Sequence, residues 1–382
     1  MKEKKKLYPR IYLLALLFII ALAFRLFYLR DLFQTIYFDH LISDSQAYHQ
    51  SALTIMDGLW TASGIFSLAS LYSFFLAAIY ALAGIDFLVV RLVQCFLGSL
   101  SVVLIYILAD RFFNSLTAAL AALLYLFYGI LIFYDGQFLA TSPAVFTTLL
   151  LIFFLSRIRE GRVFLWLPGG IILGIAILLR PNNLILLPLL LIWLIFLRKD
   201  PARKKVYSGF LFCLGAALIV SPVTLRNYLV GGDLLLVTPN GGITFFLGNN
   251  PNANGRYTPV EGVALDTYGQ ARDARKVAEE ALGRSLKPSE VSNYWMGKGW
   301  EFIREDPVRA LRLFGLKFLL FWNREESRLI QDYHFHQRFS SILRWAVISF
   351  GWMVPFAITG LVLSFKRWQE LYLLYVAILA NF

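Results

Sequence analysis

Charge is scarce in this chain. Only 16% of its 382 residues are Asp, Glu, Lys or Arg, against 58% hydrophobic. Mean hydropathy is +0.64. A soluble domain cannot hide so much apolar surface, so the composition reads as a polytopic, all-α integral membrane protein. Cysteine is nearly absent: Cys95 and Cys213 both fall inside apolar runs, which argues against a disulfide framework. Histidine numbers four, and neither His-Glu-x-x-His nor a cysteine pair occurs, so no zinc signature is present. The first polar loop has no Asp-x-Asp, leaving a divalent metal without residue support. The chain also lacks a Walker loop, a strand–glycine–helix dinucleotide fingerprint and a Gly-x-Ser-x-Gly elbow. These absences leave an ATP site, a nucleotide-sugar site and a serine hydrolase without a visible basis. No internal repeat or low-complexity segment is evident.

What the chain has instead is a succession of apolar runs, each near the ~20 residues that a ~30 Å hydrocarbon core requires. Spans are expected at Ile11–Leu29, Leu92–Ala109, Leu116–Tyr134, Phe138–Ser156, Phe164–Leu179, Leu184–Leu197, Tyr207–Leu225 and Ile342–Phe365. The basic head of "MKEKKKLYPRIYLLALLFIIALAFRLFYL" precedes no small-residue cleavage site, so this segment reads as a retained first helix. A net charge of +12 would suggest nucleic acid in a soluble protein. Here the basic residues cluster between spans, at Lys2–Arg10, 157–162, 198–205 and 366–368, as cytoplasmic loops do. No nucleic-acid partner is expected.

Parity then decides the topology. If "LYSFFLAAIYALAG" (71–84) crossed the bilayer, two basic clusters would lie outside. If it stays at the outer face, every basic cluster is cytoplasmic. The second arrangement is expected, with residues 30–90, 134–137, 180–183 and 227–341 outside. Residues 1–226 form a transmembrane bundle with a first outer loop at 30–90. Residues 227–341 form a partly helical extracytoplasmic region, with helices near 264–283 and 289–305. A helix capped by Asp306, with Pro307 in its first turn, carries Arg309, Arg312 and Lys317 and suits a membrane interface. Residues 342–382 contribute C-terminal transmembrane helices. The closing "ELYLLYVAILANF" is too short to cross, so the sequence is expected to continue past Phe382.

Polar side chains concentrate in "YFDHLISDSQAYHQSALTIMDG" (37–58). Asp44 stands at a helix start with Tyr48 one turn on, which suits a short helix lying on the membrane. A plain N-cap role is the simplest reading of such an aspartate. Asp39 and His40 fit loop solvation better than ligation. Arg25 lies inside the first apolar run, where a charge costs a few kcal/mol and normally has a partner or a task. Arg91, Arg180 and Arg226 share its outer level. Together these guanidinium groups suit an anionic lipid headgroup, because guanidinium binds phosphate with paired hydrogen bonds.

The order of features resembles a known family. "FRLFYL" leads to "SDSQAYHQSA", then "LYSFFLAAIYALAG" and "VVRLVQCFLGSLSVVLIYILADRFF". "GIILGIAILLRPNNLILLPLLLIWL" and "TLRNYLVGGDLLLVTPNGGITFFLGNNP" follow. This succession is similar to bacterial glycosyltransferase family 39, the group of protein O-mannosyltransferases and aminoarabinose transferases. The resemblance implies a GT-C helix bundle in the cytoplasmic membrane. It also implies transfer of a sugar from a polyprenyl-phosphate carrier to an acceptor hydroxyl outside. By resemblance Asp44 is the general base, Arg180 lies near the carrier phosphate, and 71–84 is a surface helix. Where relatives carry a second acid, this chain has "FSLASLYS" (66–73) and "LATSP" (139–143), leaving Asp135 as the substitute. Arg25, Tyr48, Arg91, Arg226 and Asn240 complete the candidate substrate-binding set. A secondary transporter or flippase for an anionic lipid would also want intramembrane arginines, but it typically shows paired half-sequences. A noncatalytic membrane scaffold would need Asp44 only as a cap.

Overall fold

The computed structural model describes residues 2–59, 65–66, 68–264, 266–323, 332–346 and 348–381, with backbone only at 2–9, 268 and 381. Helices α1 (Lys2–Phe33) and α2 (Asp44–Met56) open the chain. Next come α3 (Ser70–Ala83), α4 (Phe87–Phe112), α5 (Ser115–Leu126), α6 (Gly129–Asp135) and α7 (Thr141–Arg157). After α8 (Trp166–Leu179) and α9 (Leu186–Ile192), the long α10 (Ala202–Gly231) follows. Beyond it lie α11 (Gly241–Gly248), α12 (Thr267–Leu282), α13 (Pro288–Glu305) and α14 (Pro307–Phe321). Four further helices, α15 (Tyr333–His336), α16 (Ser341–Trp345), α17 (Phe350–Ser364) and α18 (Tyr372–Asn381), complete the described order. No strand occurs among the described residues, only an isolated bridge between Tyr128 and Ile348.

Local chemistry sets many of these boundaries. Asp86 starts α4 by accepting from the Leu88 N–H at 2.7 Å, and Asn114 starts α5 by accepting from Thr117 N–H at 3.0 Å. Asp306 caps α14 through Arg309 N–H at 2.9 Å with Pro307 at the first position, as the sequence predicts. Gly84, at φ 78°, ends α3, and Gly232, at φ 59°, ends α10.

Among the described residues, three stretches are long and apolar enough to cross a membrane: Arg10–Phe33, Phe87–Phe112 and Ala202–Gly231. At 14 residues, α3 extends only about 21 Å, short of a ~30 Å hydrocarbon core. It packs on α2 and α8. Shorter apolar helices fill in the bundle around the long ones. A close seam joins α8 to α10. A Cβ on Gly170 would stand 2.0 Å from the Phe212 carbonyl oxygen, and one on Gly215 would stand 2.2 Å from that of Leu167. Small residues let two backbones touch where lipid supplies no hydrophobic drive for association.

Two expected spans are not continuous. The run Leu116–Tyr134 breaks between α5 and α6, and Ile342–Phe365 is split between α16 and α17. The breaks meet through the Tyr128–Ile348 bridge, so each freed backbone answers the other within protein. Gly129 permits the approach, since a Cβ there would collide with the Tyr333 hydroxyl at 2.2 Å.

The bundle is polar in its ends. Arg10 pairs with Asp110 at 2.6 Å, and Arg111 donates to the Ser156 carbonyl. Arg198 donates to the Ile158 carbonyl at 2.8 Å, Gly161 N–H to Asp200 at 2.6 Å, and Arg367 to the Phe112 carbonyl at 3.4 Å. All four basic clusters thus lie at one end. Helices α4 and α8 run between that end and the opposite one, where α2, α3 and Arg180 lie. The stretch 227–341 has its own apolar core of Ile243, Leu247, Val263, Ala274 and Trp295.

Candidate active site

The site builds from α2. Ser43, immediately before it, adopts φ 52°, the single positive φ of a non-glycine residue among those described. Such backbone costs on the order of 1–3 kcal/mol and concentrates at functional positions. Asp44 follows as the first residue of α2, half-buried, so Ser43 holds the cap position and Asp44 is free of that role. Its Oδ1 accepts a hydrogen bond from the Thr267 hydroxyl, which is 223 residues away at the start of α12.

Tyr48, one turn on, is buried against Tyr72 with ring centroids 4.7 Å apart. Burial pushes its phenol well above the usual tyrosine range. The Asp44 charge adds to the rise, while a backbone hydrogen bond at Ala69 and the Arg180 charge oppose it. Tyr48 therefore lies within electrostatic reach of both Asp44 and Arg180. Arg180 ends α8, and its side chain is exposed. His49, beside Tyr48, hydrogen-bonds Tyr80 at 2.9 Å, and burial holds its imidazole below the ordinary value.

The other expected residues separate from this group. Arg25 and Asp135 form a buried pair, Nε to Oδ2 at 2.6 Å, with side chains 0% and 5% exposed. Gly98 makes the room, because a Cβ there would stand 2.1 Å from Asp135 Oδ2. Arg91 donates to the carbonyls of Gly136 and Phe38, both at 2.9 Å, and its guanidinium sits 4.3 Å from the Phe38 ring centroid. Arg226 is buried and packs 3.9 Å from the Phe66 ring centroid, tying α10 to the first loop. Asn240 stands at the N-cap of α11, which packs on α13. The four arginines expected to line one anion receptor stand in different surroundings. Arg25 already has its counter-charge, Arg91 is committed to carbonyls and aromatic faces, and Arg226 lies beneath Phe66. Arg180 is the exposed one, and its charge reaches Tyr48 as that of Asp44 does. Asp135, closed off by Arg25, is not placed to stand in for a second acid. Ser67, within the acid-free "FSLASLYS", lies outside the described residues.

A polar ladder runs from Tyr72, packed on Tyr48, to His336. Tyr72 donates to Gln94 Oε1 at 2.5 Å, and Gln94 Nε2 donates to the carbonyls of Asp135 and Gln137 at 3.0 and 2.6 Å. Gln137 Nε2 reaches the Tyr28 hydroxyl at 3.2 Å, which meets His336 Nδ1 at 3.1 Å. Sequence reasoning missed Thr267, Tyr72 and Gln94. Gln94 was readable as an amide inside an apolar helix, but Thr267 carried no local signal.

With this geometry in hand, comparison with known proteins gives one result. Residues 69–225 match the dolichyl-phosphate-mannose-protein mannosyltransferase family. The match, to less than half of the chain, agrees with the family resemblance of the motifs and with the all-helical bundle expected from them. It runs from α3 into α10 and includes Arg91, Asp135 and Arg180, whereas Asp44, Arg226 and Thr267 lie outside it. No curated protein and no solved structure matches the chain. Among the described residues, no group of three or more His, Cys, Asp and Glu side chains could hold a metal ion.

Proposed function

We propose that this protein transfers a sugar from a polyprenyl-phosphate carrier to an acceptor hydroxyl at the extracytoplasmic face of a membrane, with Asp44 as general base. The observation that carries this reading is the position of Asp44. It is half-buried one helical turn before Tyr48, which feels the charges of both Asp44 and the exposed Arg180, at the bundle end opposite all four basic clusters. Since Lys and Arg collect on the cytoplasmic side, that end faces outward.

In the proposed reaction the acceptor oxygen attacks the anomeric carbon while its proton passes to the Asp44 carboxylate. The bond between that carbon and the phosphate oxygen breaks, and the lipid phosphate leaves. A positioned base contributes ~10²–10⁴-fold to such a step. The phosphate is already a good leaving group, so a second carboxylic acid, as in ordinary glycosidases, is unnecessary. This fits a site where Asp135 is paired elsewhere. Arg180 stabilises the charge that grows on the phosphate. A single displacement inverts the anomeric configuration.

The test is transfer by the purified protein from synthetic polyprenyl-phosphate mannose to glycerol, with the product's anomeric configuration read by NMR. Inverted product is expected. Retained configuration, or no turnover of any lipid-linked sugar, would contradict the proposal.

A further inference from the structure

We infer that the acceptor subsite lies between the start of α2 and the first turn of α12, and that the Thr267 side chain occupies it as an internal stand-in for the acceptor hydroxyl. This rests on Asp44 being the base, and it adds where the second substrate binds. Thr267 Oγ1 donates to Asp44 Oδ1, which is the contact a reacting alcohol must make to surrender its proton. A secondary alcohol on a short aliphatic carbon already sits there, so the subsite accommodates an alcohol of that bulk.

The surroundings fit a hydroxylated substrate. Tyr257 and Gln270 flank the place, with Gln270 Nε2 donating to the Tyr257 hydroxyl at 2.5 Å. Burial raises the Tyr257 phenol; the Gln270 hydrogen bond opposes that, and the Asp44 charge adds to it, which places Tyr257 within reach of the same carboxylate. A phenol and an amide offer neutral donors and acceptors, suited to the hydroxyls or amides of a polyol, a sugar or a hydroxyl-bearing peptide. Thr267 is fixed from behind. Asp266 caps α12 through Gly269 N–H at 2.9 Å, and Trp295 Nε1 holds the Ala274 carbonyl at 2.9 Å. The hydroxyl is therefore presented by an anchored helix. While it stays bonded to Asp44, water is kept from the base, and donor sugar is protected from hydrolysis until an acceptor displaces it.

The experiment measures hydrolysis of synthetic polyprenyl-phosphate mannose without acceptor, and transfer to glycerol, for wild type, Thr267→Ala, Thr267→Ser and Asp44→Asn. Thr267→Ala opens the place to water and is expected to raise hydrolysis roughly tenfold, the scale of one charge-assisted hydrogen bond, and to lower the glycerol KM. Thr267→Ser keeps the hydroxyl and should behave as wild type, while Asp44→Asn loses both reactions. If Thr267→Ala elutes as folded protein yet hydrolyses donor no faster than wild type, Thr267 is a structural contact and the inference fails with the function intact. A fall in hydrolysis for both Thr267 variants also overturns it. A wild-type protein that turns over no lipid-linked sugar defeats the functional reading itself, and this inference with it.

Discussion

Substituting Asp135 with Asn is expected to destabilise the bundle without slowing transfer by the molecules that remain folded. The pair it breaks is enclosed: Arg25 is 0% and Asp135 5% exposed at the side chain, with 2.6 Å between Nε and Oδ2. Arg25 retains a bond to the Ala21 carbonyl at 3.1 Å, but its counter-charge is lost. Removing one partner of such a buried pair costs on the order of 3–5 kcal/mol, because an uncompensated charge stays inside. Replacing both partners by apolar residues, as in Arg25→Met with Asp135→Leu, should recover most of that loss. Gly98 gives an independent handle, since its Cβ position lies 2.1 Å from Asp135 Oδ2 and 2.7 Å from Arg25 Nε. Gly98→Ala should therefore mimic Asp135→Asn. Thermal unfolding in detergent micelles, followed by tryptophan fluorescence, reads the stability, and transfer per folded molecule reads the chemistry. Wild-type stability in Asp135→Asn, or loss of its transfer rate per folded molecule, would refute this division between a structural and a catalytic carboxylate.

Two further outcomes follow from the same geometry. Arg180→Met should raise the KM for polyprenyl-phosphate mannose by roughly 10-fold or more, with Arg180→Lys intermediate, as loss of a forked phosphate contact implies; unchanged donor kinetics would remove Arg180 from the site. His336, buried against Tyr28, is held down to about 4 by desolvation, with the Asp332 charge opposing. An imidazole at its ordinary value of ~6.5 in the unfolded chain then binds its proton first, so stability is complete above ~6.5 and falls as pH drops toward 4, by at most ~3 kcal/mol. Unfolding in micelles between pH 7 and pH 4 measures the slope, and His336→Phe should flatten it.

The helical frame was legible because its signals are local. Apolar runs, the Asp306–Pro307 start of α14 and the shortness of residues 71–84 all depend on neighbours within a few turns. The basic clusters were also legible, and the structure gathers them at one end. On α14 the large apolar residues Val308, Leu311, Phe314 and Leu319 are exposed. What stayed hidden depends on contacts far apart in sequence. Arg25 was recognised as needing a partner, but nothing local pointed 110 residues ahead to Asp135. The breaks at Tyr128 and Ile348 were hidden for the same reason, since each is tolerated because of the other. Asp44 was readable from its place after the first helix. The Ser43 backbone that takes over the cap position, and the Thr267 hydroxyl that meets the carboxylate, required coordinates.

The most direct measurement is the single-turnover rate of Asp44→Asn, with polyprenyl-phosphate mannose and glycerol, beside wild type of matched thermal stability. Loss of the base should slow the chemical step by ~10²-fold or more while leaving donor binding intact. A rate within a few-fold of wild type would mean that some other group takes the proton, and the assignment of Asp44 would be wrong.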